Sequence, residues 1–340
     1  MSHILLSICI PTYNFGRFIG ETLDSIINQA DERIEIVIVD GGSTDNTFDV
    51  INKAQQSFPF IRLIRIKKKR GVDLDILESV RQAHGQYCWL MSSDDALAPG
   101  SLASVRDQID GKWDVLLLNR VNCDEYLHPR SEDRFIDRNL PSTFSWNNQS
   151  QRCQYFEAAL SSGAFFSYIS SVVFRREGWD GLTESDRFIG SCWIITARMF
   201  EMSRRGLVVR YVPDALILNR GNNDSFATLG IVQRASLAID GFRRVAEHFF
   251  GAGSPEAQHV DRVLKNDYTL SAMAILKAQV RGREHVREFN RLARRHYAAG
   301  TAADTFRLFF VVTTPALVFA AMLWTFHRTR SVARLLRIVR

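Results

Sequence analysis

Four short apolar runs, each stopped by polar or turn-forming residues, dominate the N-terminal part of the chain, and they leave few folds open. They are Leu5-Leu6-Ser7-Ile8-Cys9-Ile10, closed by Pro11, then Ile34-Glu35-Ile36-Val37-Ile38-Val39, Ile61-Arg62-Leu63-Ile64-Arg65-Ile66 and Tyr87-Cys88-Trp89-Leu90-Met91. Runs of this length bounded by Pro, Gly and Asp read as strands. Between them the spacing is helical. Phe18, Leu23, Ile26 and Ile27 share one face, Gly41-Gly42-Ser43-Thr44-Asp45 is a turn that caps a following helix, and Ile76–Ala83 forms another. A helix from near Pro99 covers Leu102–Ile109, and Val115–Leu118 is a further strand. Strands alternating with helices predict βαβ units and an α/β fold with a mostly parallel sheet.

In such a sheet the carboxyl ends of the strands lie along one edge, where ligands bind. Three strand ends offer polar groups: Thr12-Tyr13-Asn14, Asp40-Gly41-Gly42-Ser43 and Asp94-Asp95. Two adjacent carboxylates at a strand end suit Mg²⁺ or Mn²⁺, which bind one or two carboxylates plus substrate phosphates. Asp is also favoured in turns and at helix N-caps, which is the bland account of the same pair. Convergence of the three ends on one edge favours the functional reading.

Charge and cysteine content exclude several classes. The net charge is +6, and the tail supplies most of it: Arg328, Arg330, Arg334, Arg337 and Arg340 occur without an acid, which leaves about +1 for the rest. That pattern implies a local anionic surface and no nucleic-acid partner. Cys9, Cys88, Cys123, Cys153 and Cys192 form no paired spacing, so they read as thiols of a reducing compartment with no zinc site. The first ten residues do not read as a secretory signal.

The runs Ser7-Ile8-Cys9-Ile10-Pro11-Thr12-Tyr13-Asn14, Ile36-Val37-Ile38-Val39-Asp40-Gly41-Gly42-Ser43-Thr44-Asp45-Asn46-Thr47 and Ser92-Ser93-Asp94-Asp95 resemble the family-2 glycosyltransferases of the GT-A (Rossmann-like) fold over roughly residues 4–120. Gly71-Val72-Asp73-Leu74-Asp75, Cys88–Asp95 and Arg220-Gly221-Asn222-Asn223-Asp224-Ser225-Phe226 are similar to the abequosyltransferase-like branch. The resemblance implies a metal-dependent hexosyltransferase. It would move a sugar, such as the dideoxyhexose abequose, from a nucleotide-sugar donor to a lipid-linked saccharide in O-antigen-type lipopolysaccharide synthesis. Pro11, Thr12, Tyr13, Asp40 and Gly41 would bind the nucleoside, with Asp40 accepting a hydrogen bond from the base. Asp94 would face ribose and metal, and Asp95 would hold the metal that bridges the donor diphosphate. Asp73 would lie near the donor, or else cap the helix that begins near Leu74. Asn223 belongs to a Gly-Asn-Asn turn that either closes over the diphosphate or is a plain surface loop. Many members carry an acid where Ser92 stands.

The acceptor side is harder to read. Residues 122–151 lose periodicity and read as a long variable loop, with Trp146 and Asn147-Asn148-Gln149-Ser150 as acceptor contacts. Phe156–Leu160 starts a helix, and Gly163–Phe174 leads into a strand whose aromatic residues are either a sugar-stacking wall or core. The family's usual acidic pair would fall near Phe188-Ile189-Gly190-Ser191-Cys192-Trp193, which contains no acid. Asp186, with Glu184 beside it, is either the general base or a plain loop acid or helix cap. Leu207–Val212 and Ala215–Leu218 read as two strands.

From Gly230 onward the pattern is helical: Ile231–Phe250, Asp261–Val280 and Glu284–Tyr297. Leu308–Phe326 is uncharged over a length that can span a bilayer or, kinked at Pro315, re-enter it, and the tail alternates Arg with apolar residues. The expected organisation is a GT-A domain over 1–228 (nucleotide-sugar half about 1–120, acceptor half about 121–228), a helical region over 229–303 and a membrane-associating segment over 304–340. The expected location is the cytoplasmic face of a bacterial inner membrane. The alternative function is a non-catalytic nucleotide-diphosphate-binding module recruited to the membrane.

Overall fold

The computed structural model describes residues 4–137, Asn139, 142–223, 230–298 and 301–321. The four apolar runs become β1 (Leu6–Thr12), β2 (Ile34–Asp40), β3 (Ile61–Arg65) and β4 (Tyr87–Leu90). Helices α1 (Ile19–Ile27), α2 (Thr47–Ser57) and α3 (Val72–Arg81) connect them. The chain continues through β5 (Ala96–Leu97), α4 (Ser101–Asp107), β6 (Val115–Cys123), β7 (Pro129–Glu132), β8 (Thr143–Ser145) and α5 (Gln149–Ala158). After these come β9 (Val172–Arg175), α6 (Arg176–Trp179), α7 (Ile194–Met202) and β10 (Val208–Asn219). The last helices are α8 (Ile231–Phe250), α9 (Pro255–Asp267), α10 (Leu270–Gln279), α11 (Arg283–His296) and α12 (Ala302–Thr313).

The strands form one sheet in the order β3-β2-β1-β4-β9-β6-β10-β5, with β7 on β6 and β8 on β10. β3, β2, β1 and β4 are parallel, β9 runs against both β4 and β6, and β6 is parallel to β10. β1 and β2 are buried along their whole length, as parallel strands covered on both faces must be. β4 pairs with β1 only as far as Leu90 opposite Cys9, so Pro11, which has no N–H, falls where that ladder has ended. The register sets Thr12 opposite Asp40 and Asp40 opposite Arg65.

The contacts divide the chain into two compact units. The first comprises residues 1–224 and 244–260 and contains the sheet; the second comprises 225–243 and 261–340. In the second, Val232, Ile239, Met273, Phe289, Leu292 and Val311 make the core. The buried Lys277 ammonium donates to the carbonyls of Val311 and, at 2.8 Å, Val312, which lie at the C-terminal end of α12 where a cation is favoured.

Several expectations are corrected. The loop read over 122–151 holds β7, β8 and the start of α5, because short, polar edge strands leave no apolar alternation. The helix expected to begin at Phe156 instead ends at Ala158, and Asn148 caps its start by accepting from the Gln151 N–H at 3.1 Å. Trp146 is fully buried against Tyr155, Phe156 and Phe250, so it is core and no acceptor contact. Phe165 and Phe166 are likewise core. The two strands expected at 207–218 are one, β10, whose register shifts on either side of Ala215 absorb Pro213. The helix expected over 261–280 breaks at Thr269, whose side chain caps α10.

The apolar run beginning at Leu308 is interrupted, because α12 ends at Thr313 ahead of Pro315. Among the described residues no helix is long and apolar enough to cross a membrane. Residues 322–326 of that run, the basic tail 328–340 and the lid residues Asp224, Ser225 and Phe226 lie outside the described residues.

Candidate active site

The β1 and β2 ends are locked together by their own loops. Asn14 lies at φ 59°, takes the Ser43 hydroxyl oxygen as acceptor for its N–H at 2.8 Å, and accepts from the Thr44 N–H at 2.8 Å. Gly41 N–H donates to the Thr12 carbonyl at 2.9 Å. Asp40 is fully buried, and its Oδ1 accepts from the N–H groups of Gly42 at 3.2 Å and Ser43 at 2.8 Å. Its Oδ2 faces the Arg65 guanidinium at 3.5 Å without a hydrogen bond, and the buried Thr12 Oγ1 has none either. Two orphaned polar atoms side by side at a strand end leave unspent hydrogen-bonding capacity that a bound polar group can satisfy. The Lys69 ammonium lies over the Tyr13 ring, 4.0 Å from its centre, and Arg70 pairs with Asp75 at 3.2 Å. The basic run Lys67-Lys68-Lys69-Arg70 is therefore folded onto this end of the sheet.

Asp94 and Asp95 follow β4. Asp94 Oδ1 accepts from the Ser92 hydroxyl and Oδ2 from the Asn223 amide. Asp95 Oδ2 accepts from the Tyr168 hydroxyl and from Ser170 Oγ at 2.6 Å, and Oδ1 from the Arg220 N–H at 3.1 Å. Burial, with the Asp94 charge adding to it, pushes the Asp95 carboxyl up to about 7; burial also raises Asp94. The buried Arg220 guanidinium binds the Asp94 carbonyl at 2.8 Å, the Glu125 carbonyl at 2.6 Å and Glu21 at 2.6 Å. Each carboxylate oxygen can accept two bonds. Asp95 Oδ1 and both oxygens of Asp94 each keep one lone pair, so the pair suits a hard cation completed by water and phosphate oxygens. Among the described residues no third acid, His or Cys joins them.

Asp73 and Asp75 stand in the first turn of α3 and face different neighbours. Asp75 Oδ2 packs against Gly41, so closely that a Cβ there would lie 2.6 Å from it. Asp73 Oδ2 accepts from the N–H groups of Gly190 at 2.7 Å and Cys192 at 2.9 Å, while Oδ1 is buried without a partner. Burial raises the Asp73 carboxyl, and those N–H groups oppose the rise. A carboxylate distant in sequence thus enters the loop ahead of α7 that has no acid of its own. Asp186 is half-exposed and ion-paired with Arg198.

The sequence reading left Tyr168, Ser170 and Arg220 out of the site. Arg220 carried a signal, as the residue that opens the Gly-Asn-Asn turn. Tyr168 and Ser170 lay in a run that aromatic content assigned to core or to a sugar wall, and only the pairing of β9 with β4 brings them to Asp95.

Residues 7–174 match the glycosyl transferase family 2 domain. The chain is 33% identical over 281 residues to the abequosyltransferase RfbV of Salmonella typhimurium, covering 80% of this chain and 84% of that one. The chain belongs to glycosyl transferase family 2. It is therefore a glycosyltransferase, and solved structures bear out the GT-A fold of this family 2 enzyme. Staphylococcus aureus TarS (residues 1–349) in complex with UDP-GlcNAc superposes with a TM-score of 0.62 at 16% identity, covering 96% of this chain and 92% of that one. The mannosyltransferase PcManGT of Pyrobaculum calidifontis, in complex with GDP-Man and Mn²⁺, gives 0.50 at 16% identity, covering 94% and 87%.

Proposed function

We propose that this enzyme transfers a dideoxyhexose of the abequose type from a nucleotide-sugar donor to a lipid-linked saccharide during bacterial surface polysaccharide (O-antigen-type) synthesis. The similarity to an abequosyltransferase over most of both chains supports the sugar class. The observation that carries the site is the pair of orphaned, buried atoms Asp40 Oδ2 and Thr12 Oγ1 on the same sheet edge as Asp94-Asp95. The base N–H satisfies Asp40, Pro11, Tyr13 and Gly41 border the nucleoside once Lys69 leaves the Tyr13 ring, Asp75 steadies Gly41 on the donor side, and Asp73 acts near the donor by holding the Gly190–Cys192 loop. Asp94 and Asp95 would hold the metal, which neutralises charge on the leaving diphosphate. Asn223, already on Asp94, closes over the phosphates. Asp186, the exposed acid ahead of α7, takes the proton of the acceptor hydroxyl as its oxygen attacks the anomeric carbon.

Membrane association rests on the C-terminal unit. Phe306, Phe309 and Leu317 are 64%, 66% and 78% exposed, an apolar surface suited to lying in a lipid interface. In this reading the enzyme works at the cytoplasmic face of the inner membrane.

A panel of nucleotide sugars titrated with and without Mn²⁺ tests the reading. One donor should bind in a metal-dependent way, and Asp95→Ala should abolish sugar transfer while the protein still unfolds cooperatively. Full activity in Asp95→Ala sinks the assignment. Metal-dependent binding with neither transfer nor donor hydrolysis in the parent chain would support a non-catalytic binding module instead.

A further inference from the structure

A cleft of about 460 Å³ lies beside the loop ahead of α7, and neither Asp40 nor Asp94 is among its lining residues. Its lining is Arg187, Phe188, Ile189, Gly190 and Ser191 on one side and Arg244 and His248, one turn apart on α8, on the other. Its volume is that of a small-ligand site. The charges in it are not balanced. Arg187 and Arg244 are both exposed, and among the described residues neither guanidinium pairs with a carboxylate. Glu184, which meets the cleft residue His248, is already held by Arg204 and by His248 Nε2 at 2.7 Å.

The cleft is built rather than incidental. Phe188 is buried and packs on His248 and Phe249, with ring centres 5.5 and 6.0 Å apart, which pins the loop to α8. In the tautomer whose Nε2–H donates to Glu184, the His248 Nδ1 accepts from Arg187 at 3.3 Å. Glu184 thus orients the ring, and the ring orients the Arg187 guanidinium toward the cleft. From below, Asp73 fixes the loop through the Gly190 and Cys192 N–H groups. The same turn of α3 carries Asp75 against Gly41, so one rigid turn ties this cleft to the nucleoside end.

We infer that the cleft is an anion subsite for the acceptor, and that it takes a phosphate or diphosphate group carried by that acceptor. The inference rests on the glycosyltransferase reading above, in which Asp186, next to Arg187, faces the acceptor hydroxyl. Two unneutralised guanidiniums match the several oxygens and the double charge of a phosphate; one carboxylate of an acidic sugar satisfies only one of them. The exposed Ile189 on the rim adds an apolar contact for the sugar or lipid that bears the phosphate.

The test is titration calorimetry on the full chain with EDTA present, using inorganic pyrophosphate, geranyl diphosphate and glucuronate. Pyrophosphate should bind without metal, and the double variant Arg187→Ala/Arg244→Ala should weaken it roughly tenfold or more. Asp40→Ala should leave it unchanged while losing nucleoside diphosphate. Tighter binding of geranyl diphosphate than of pyrophosphate assigns a lipid headgroup, and equal binding assigns a phosphate on the saccharide; both support the subsite. No pyrophosphate binding by the parent chain, or binding that survives the double variant unchanged, overturns it. Glucuronate binding as well as pyrophosphate overturns the phosphate class. The readout needs no turnover, so it separates failure of the subsite from failure of the catalytic reading.

Discussion

Asp94 and Asp95 show how neighbours decide what a carboxylate can do. Both are buried, yet each oxygen meets a hydroxyl, an amide or a backbone N–H, and the buried Arg220 offsets part of their charge. Ser92 removes one acid from the expected motif but donates to Asp94, so the substitution exchanges a charge for a hydrogen bond. Gly41 is a sharper case, because its backbone is approached by Asp75 Oδ2. A methyl group there must push Asp75 off Arg70 or shift the loop. Gly41→Ala should weaken nucleotide binding by about tenfold, near 1.4 kcal/mol, with little change in Tm. Equal binding by both proteins in a nucleotide titration would place the nucleoside elsewhere.

The first turn of α3 joins two parts of the site, and its carboxylates are spent differently. Asp75 packs on the β2 end, while Asp73 binds N–H groups of a loop more than a hundred residues away. Removing the Asp73 carboxylate leaves two N–H groups without an acceptor, at about 1–3 kcal/mol each if they stay buried. Asp73→Ala should therefore lower Tm and speed amide exchange at 190–192. If Tm and exchange are unchanged while donor affinity falls, Asp73 serves the nucleotide and not the loop.

The C-terminal unit has its own pH response. Burial is the main cause that lowers His296 to about 4, with the Arg243 charge also lowering it and the Tyr268 carbonyl, at 3.0 Å from Nε2, opposing. The unfolded chain protonates this ring near the ordinary value of about 6.5, before the folded one does. The stabilisation is complete above about pH 6.5 and is lost as pH falls toward 4, on the order of 3 kcal/mol in all. Denaturant midpoints measured between about pH 7 and pH 4.5 should fall in the parent, and His296→Gln should flatten that slope. An unchanged slope in the variant would show that other groups carry the acid sensitivity.

The sequence by itself determined the α/β layout, because buried parallel strands must be apolar and must end at turns. The same logic made Asp40, Asp94 and Asp95 legible, since residues at strand ends of one parallel sheet share an edge whatever the rest of the chain does. Acids and turn residues in a known order also made the family recognisable. The acceptor side was not legible. Polar edge strands such as β7 carry no periodicity, Trp146 looks the same in a core as in a sugar site, and Pro213 hid the continuity of β10. Tertiary structure alone decided that Tyr168, Ser170 and Arg220 surround Asp95. It alone also brought Asp73 to the Gly190 loop and set Arg187, Arg244 and His248 around one cleft. These contacts join residues tens to more than a hundred positions apart, and a local pattern has no means of encoding which distant partner a buried charge will find.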